Sequence, residues 1–260
     1  MNIVKSKFSN KSWVVNSNGK RISDKLFIEK TFNVGPFFVV EHSEGTIIYL
    51  NDCEEKVGDF SATDCYKKNI IFDGYYYFKT EQAPLIYNNE GRLVSEDILL
   101  LDEVRGTEEL IPAFSVRTQH WGYIDYNLNW KIQPIYIQAG NFNKNGFAVV
   151  RFKGEEKIGV IDKNHKILFA PKKFWDADFI TEDMLVVREL TSKSGRVCSQ
   201  IKKGLMNLSG QIILPAEYLD IIPQGNVFLL ETLDGWGVVD TLGNIVHPCQ
   251  YTKEELLALA

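Results

Sequence analysis

Trp121–Pro134, WGYIDYNLNWKIQP, reads as a strand, a tight polar turn, a second strand and a proline stop. The same pattern returns six more times. Anchored on the Asp or Asn that closes the first strand, the units fall at Asn16, Asn51, Asn88, Asp125, Asp162, Asn207 and Asp240. The intervals are 35, 37, 37, 37, 45 and 33 residues, a period that marks a repeat architecture. The long interval has a visible cause. Thr191–Lys203 is a polar insertion with Gly and Ser, the kind a surface loop absorbs at little cost.

Around each anchor the surroundings repeat. A short apolar run precedes it, as in Gly159-Val160-Ile161 or Gly237-Val238-Val239. Gly follows three residues later in four units, at Gly19, Gly91, Gly210 and Gly243. This spacing suits a hairpin in which Asp or Asn accepts from the following amides while Gly takes a positive φ. A return strand comes next, and Pro134, Pro171, Pro215 and Pro248 are expected to end it, because proline donates no ladder bond.

Further upstream lies a second apolar run, such as Phe147-Ala148-Val149-Val150 or Val227-Phe228-Leu229-Leu230, with a shorter apolar segment before it. One unit therefore holds about four short strands. The first unit lacks an inner one. The runs are continuous rather than alternating, which is the pattern of strands covered on both faces. A lone four-stranded sheet cannot cover both its faces, so the units must stack on one another.

The expected fold is all-β, with about seven short antiparallel sheets in a β-propeller-like ring; an open superhelical β-array is the alternative. The expectation is a single repeat domain over residues 1–260. Thr252 and Glu255 have capping-box spacing, so residues 252–260 should form a short C-terminal helix capping an exposed sheet.

No apolar run reaches the roughly 18 residues needed to span a bilayer, so no membrane role is expected. Cys53, Cys65, Cys198 and Cys249 are scattered, which reads as free thiols in a reducing cytoplasm. A net charge of −5 argues against nucleic acid as the partner.

Trp121-Gly122-Tyr123-Ile124-Asp125 and Trp236-Gly237-Val238-Val239-Asp240, each continuing into a turn, a return strand and a proline, resemble the bacterial WG-repeat family. The likeness is good over residues 113–250 and faint before 110. The Trp-Gly pair is intact in those two units only; Ile158-Gly159 and Lys203-Gly204 stand in its place in two others. The resemblance implies a β-repeat module that binds other proteins, and immunity to a toxin is one role it suggests. It carries over no catalytic residues.

The repeated Asp125, Asp162 and Asp240 are read as turn residues, too far apart to share a metal. Trp121 and Trp236 are expected to pack between units. His42 and His165 fall in turns and should be solvated. Nothing has the spacing of a metalloprotease, a nucleophile elbow or a phosphate loop, so no enzyme and no cofactor is expected.

Charge is the more informative signal. Glu96, Asp97, Asp102, Glu103, Glu108 and Glu109 face a single base, Arg105. An acidic surface of this kind would steer a basic protein partner, such as a nuclease toxin, onto it. Within Tyr75-Tyr76-Tyr77, Tyr76 is the member expected to face outwards. The expectation is a monomeric, cytoplasmic, non-catalytic protein binder that occludes a toxin. A glycan- or small-ligand-binding repeat protein is the alternative, and an enzyme with a site in a central channel a third.

Overall fold

In the computed structural model the seven anchors mark the turns between an anchor strand and the outer strand that follows it. The structure describes residues 1–51, 54–60, 66–72, 74–79, 84–100, 109–154, 158–169, 174–192 and 199–259. The chain divides into two compact units, Met1–Thr107 with Ala113–Gln119, and Glu108–Pro112 with His120–Ala260.

In the first unit, β1 (Asn2–Lys5) pairs with β2 (Ser12–Val15), and the Asn16 turn leads from β2 to bridges at Arg21 and Leu26 on its other side; together these make the Asn16 hairpin. The Asn51 sheet runs β3 (Ile28–Val34), β4 (Phe37–His42), β5 (Gly45–Leu50), β6 (Glu55–Phe60). The Asn88 sheet runs β7 (Tyr66–Phe72), β8 (Tyr75–Lys79), β9 (Pro84–Asn88), β10 (Leu93–Ser95). Then β11 (Ile98–Leu100) pairs with β12 (Ile111–Ser115) through Ile98 and Ser115.

The second unit continues with β13 (His120–Ile124) and β14 (Trp130–Ala139). This long strand leaves one sheet and enters the next: Ile132 pairs with Tyr123, while Ala139 pairs with Val150 of β15 (Phe147–Phe152). β16 (Ile158–Asp162) and β17 (Ile167–Phe169) complete the Asp162 sheet. The Asn207 sheet is β18 (Asp176–Phe179), β19 (Met184–Ser192), β20 (Ser199–Asn207) and β21 (Ile212–Tyr218). The Asp240 sheet is β22 (Asp220–Gln224), β23 (Val227–Glu231), β24 (Trp236–Asp240) and β25 (Ile245–Tyr251), followed by α1 (Lys253–Leu259). All the pairings recorded are antiparallel, and the fold is all-β apart from the short closing helix.

The continuous apolar runs are explained by two-sided burial. In β20, Leu205 faces the Asp240 sheet beside Phe228 and Val239, while Met206 faces the Asp162 sheet beside Ile158 and Val160. Both are essentially inaccessible to water. Phe37 of the Asn51 sheet meets Tyr76 and Phe78 of the Asn88 sheet edge to face, with ring centroids 5.1 and 5.7 Å apart. After the Asp240 sheet, α1 covers that sheet through Leu256, which packs on Leu229 and Val238. Thr252 and Glu255 form the expected capping box, each accepting from the other's amide.

The turns repeat atom for atom. In six units the anchor's Oδ1 accepts from the amides two and four residues on; for Asp125 these are Asn127 and Asn129, both at 2.9 Å. The residue three after the anchor has a positive φ in all seven units, whether or not it is glycine. Glu54, Leu128 and His165 stand at 58°, 63° and 65°, beside Gly19, Gly91, Gly210 and Gly243 at 76–85°. Left-handed backbone costs an ordinary L-residue about 1–2 kcal/mol, and glycine avoids most of that. His165→Gly is therefore expected to raise unfolding stability by roughly 0.5–1 kcal/mol in a urea titration. A loss of stability would show that the edge contact of the His165 ring with Tyr136, at 5.8 Å, outweighs the backbone cost.

In five of the units that same turn position meets the sheet or hairpin before it. Gly91 abuts Leu50 and Val57, Gly210 abuts Phe169, and Gly243 abuts Ile213. At Glu54 and His165 the contact is made by the side chain: Glu54 accepts from the Ser17 amide at 2.7 Å, and His165 meets Tyr136.

Two expectations about the chain's course are corrected. Pro134, Pro215 and Pro248 do not end their strands, because β14, β21 and β25 run through them. In each case the outer strand bulges by two residues. Trp121 pairs with Tyr136 but Tyr123 with Ile132; Lys203 pairs with Tyr218 but Leu205 with Leu214; Trp236 pairs with Tyr251 but Val238 with His247. The proline occupies the bulge, where no ladder bond is asked of it. Pro171 lies outside the described residues. The insertion near Thr191 is also no simple loop: it lengthens a hairpin, with Thr191 opposite Gln200 and Ser192 opposite Ser199.

Candidate functional site

The bulge gives the Trp-Gly motif its physical meaning. A Cβ on Gly122 would sit 2.5 Å from the Ile132 carbonyl oxygen, and one on Gly204 2.6 Å from that of Leu214. On Gly237 it would meet the Cys249 Sγ at 2.7 Å and the His247 oxygen at 2.8 Å. Glycine is required because the bulged outer strand crosses directly over it. The tryptophan is an apolar filler beside this crossing. Trp121 packs on the core between β13, β14 and the Asp162 sheet. Trp236 packs instead beneath α1, with the Lys253 Nζ 4.8 Å from its ring. The motif residues thus serve the fold.

The acidic run divides when placed on the structure. Asp102, Glu103 and Glu108 lie outside the described residues. Glu96 is exposed. Glu109 is exposed too, with its carboxylate 3.1 Å from the Lys163 Nζ. Asp97 is not part of an open face: its carboxylate accepts from the buried Ser115 hydroxyl at 2.9 and 3.0 Å and from the Arg117 amide at 2.7 Å. Its charge is used to hold the turn after β12. The sequence carries a signal for this, an Asp directly before an inner strand.

Tyr76 faces inwards, contrary to expectation. It is 8% exposed and its ring fills the space over Gly35, so that a Cβ there would fall 2.1 Å from the ring. Alternation assumes one solvated face, but Tyr76 and Tyr77 on adjacent positions are both buried because β8 is covered on both sides. His42 is likewise buried rather than solvated. Its Nδ1 accepts from the Glu44 amide at 3.3 Å, and its Nε2 has no hydrogen-bond partner among the described residues. His165 is exposed as expected.

A charge cluster that the sequence did not announce lies where the Asp162 sheet meets the Asn207 sheet. Asp176 accepts from Arg188 at 2.8 Å and lies 3.4 Å from Arg151, while Asp178 takes the same Arg188 nitrogen at 2.7 Å. Burial pulls the Arg188 guanidinium down, but its bond to Asp178 and the charge of Asp176 more than reverse this. Arg151 also stacks over Trp175 at 5.5 Å. Two cations and two carboxylates compensate one another, which makes the cluster an inter-sheet clamp rather than a reactive site. Asp220, first residue of β22, repeats the device with Lys203 of the preceding sheet. Burial raises the Asp220 carboxyl, and the Lys203 bond with the Ile221 amide brings it below the usual range.

Two further groups are perturbed by burial. Burial pushes the Tyr136 phenol up to about 12. The Cys249 thiol is raised by burial and is free; the other three cysteines lie outside the described residues. Among the described residues no three His, Cys, Asp or Glu side chains converge on a metal-sized site.

No curated protein matches the sequence. Loose structural likeness is found to Hsv2 of Kluyveromyces lactis, at TM-score 0.39 and 12% identity over 82% of this chain and 73% of that one. The Pan2 WD40 domain of Neurospora crassa gives TM-score 0.32 and 8% identity over 83% and 76%. The extracellular domain of a putative hybrid two component system, BT4673, from B. thetaiotaomicron gives 0.36 and 13% over 96% and 42%. The model of the WG containing repeat matches both stretches in which the Trp-Gly pair is intact. The chain carries WG-containing repeats, at residues 121–155 and 236–253.

Proposed function

We propose that this is a non-catalytic, protein-binding β-repeat protein of the immunity type, which covers the active site of a basic toxin. The observation that carries the reading is how the repeat residues are used. Gly122, Gly204 and Gly237 accommodate a strand crossing, and Asp125, Asp162 and Asp240 tie turns. What remains for chemistry is a stiff scaffold with charged loops. A stiff surface loses little conformational entropy on binding, which favours occlusion. Glu96 and Glu109 are exposed at the two ends of the acidic run, and the Glu109–Lys163 pair is too solvated to neutralise it firmly.

The test begins with the immobilised chain and a lysate of its native host, from which a basic protein is expected to be retained. Charge reversal at Asp102, Glu103, Glu108 and Glu109 should then slow association with that protein by about tenfold at low salt. The unfolding transition should stay in place. An unchanged association rate in the quadruple variant would rule this surface out.

A further inference from the structure

The outer face of the Asp240 sheet repeats a face that elsewhere receives a neighbour. In the Asn207 sheet, Met184, Leu205 and Leu214 seat the next sheet through Phe228, Leu230 and Val239. A Cβ on Gly243 of that incoming sheet would stand 3.0 Å from the Ile213 carbonyl oxygen. Val227, Leu229, Val238 and Val246 hold the positions of Met184, Val186, Leu205 and Ile213 one sheet later, with His247 where Leu214 stands. Val227 lies opposite Asp240 as Met184 lies opposite Asn207, and Leu229 pairs with Val238 as Val186 pairs with Leu205. Leu256 of α1 covers part of this face. The rest lines a cavity of about 420 Å³, into which Val246 and Gln224 also face. The Gln224 Oε1 is buried there without a hydrogen-bond partner among the described residues.

The Asn16 hairpin carries the complementary half. Its turn glycine, Gly19, has nothing among the described residues within 4 Å of where a Cβ would stand, whereas Gly91, Gly210 and Gly243 each abut a preceding sheet. Val14 faces the Asn51 sheet, so strand alternation puts Trp13 and its partner Val4 on the opposite face. Val4 is 37% exposed, and Arg21 and Lys25 lie over the Trp13 ring. Charge matches as well. Residues 1–25 hold six Lys and Arg (Lys5, Lys7, Lys11, Lys20, Arg21, Lys25) against Asp24. Residues 231–260 hold five acids (Glu231, Asp234, Asp240, Glu254, Glu255) against Lys253.

We propose that the outer face of the Asp240 sheet is a docking surface for the Asn16 hairpin of a second copy of this chain. The contact continues between molecules the sheet-on-sheet packing found within one. The Asn16–Gly19 turn takes the place beside Val246 that the Asp240–Gly243 turn takes beside Ile213. Gln224 accepts an incoming N–H. The two patches differ, so the interface is head-to-tail and adds copies without a built-in stop. It departs from the monomer expected from the sequence.

Sedimentation equilibrium tests this on the intact chain. The weight-average mass is expected to rise from 29.7 kDa to twice that and beyond as concentration increases, and to fall back as sodium chloride screens the charged ends. Lys20→Glu with Lys25→Glu disables the hairpin end, and Val246→Glu disables the sheet end. Lys20 and Lys25 are exposed and Val246 is half-exposed, so both variants fold. Each alone should remain at the single-chain mass. An equimolar mixture should recover a species of two chains and no more, since each variant keeps the end the other lacks. A wild-type mass of one chain at every concentration would overturn the proposal. So would self-association of either variant alone, or a mixture that fails to pair.

Discussion

Gly204→Ala is expected to destabilise the chain by about 3 kcal/mol, read as a shift in the urea midpoint. The added methyl would stand 2.6 Å from the Leu214 carbonyl oxygen and 2.9 Å from the Ala216 nitrogen and the Pro215 carbonyl carbon. All three are backbone atoms of one bulge, so no side chain can swing away. The outer strand has to lift off β20, which strips its pairing and uncovers Leu214 and Ala216, now 5% and 7% exposed. Gly122 and Gly237 stand in the same relation to their own outer strands and should respond to Ala as strongly. Gly140→Ala is the matched control. Its nearest neighbour would be the Val149 oxygen at 3.3 Å, a contact that yields by a few tenths of an ångström. Equal effects at Gly204 and Gly140 would mean that the crossing is not what demands glycine.

Phe37→Ala should cost about 3–5 kcal/mol. Phe37 is wholly buried and touches three aromatic rings of the neighbouring sheet, Tyr76, Phe78 and Tyr87, at 5.1–5.7 Å. The large figure applies because those rings stand on stiff strands and cannot collapse into the space. They are also tied across the same boundary, since the Tyr87 hydroxyl donates to the Val57 oxygen at 3.3 Å. The damage should therefore appear in both sheets, although the substitution is made in one.

The spacing of the anchors carried the architecture because it reports backbone geometry. An Asp or Asn that closes a strand and accepts from the amides two and four residues on leaves the same trace in six units, and every anchor falls at the turn expected of it. Positive φ was legible only where glycine advertised it. Glu54, Leu128 and His165 adopt it because the turn's hydrogen bonds hold them there, and their side chains give no sign. Prolines were legible as ladder breaks but misread as strand ends, because a two-residue bulge is decided by pairing with a distant Gly. Tyr76 was misplaced for a similar reason: neighbouring sheets on both sides of β8 leave it no solvated face. The acidic run was visible as composition, yet sequence could not separate Asp97, bound to Ser115 and Arg117, from the exposed Glu96. The Arg151–Asp176–Arg188 clamp joins residues 37 positions apart and has no local signature.

Backbone amide exchange in the Phe37→Ala chain probes most sharply whether these sheets exist only through contact with one another. Protection is expected to fall together across Phe37–Leu50 and Tyr75–Asn88, while Leu205 and Val239 keep theirs. Loss confined to Phe37–Leu50, with Tyr75–Asn88 exchanging as in the parent chain, would contradict the account.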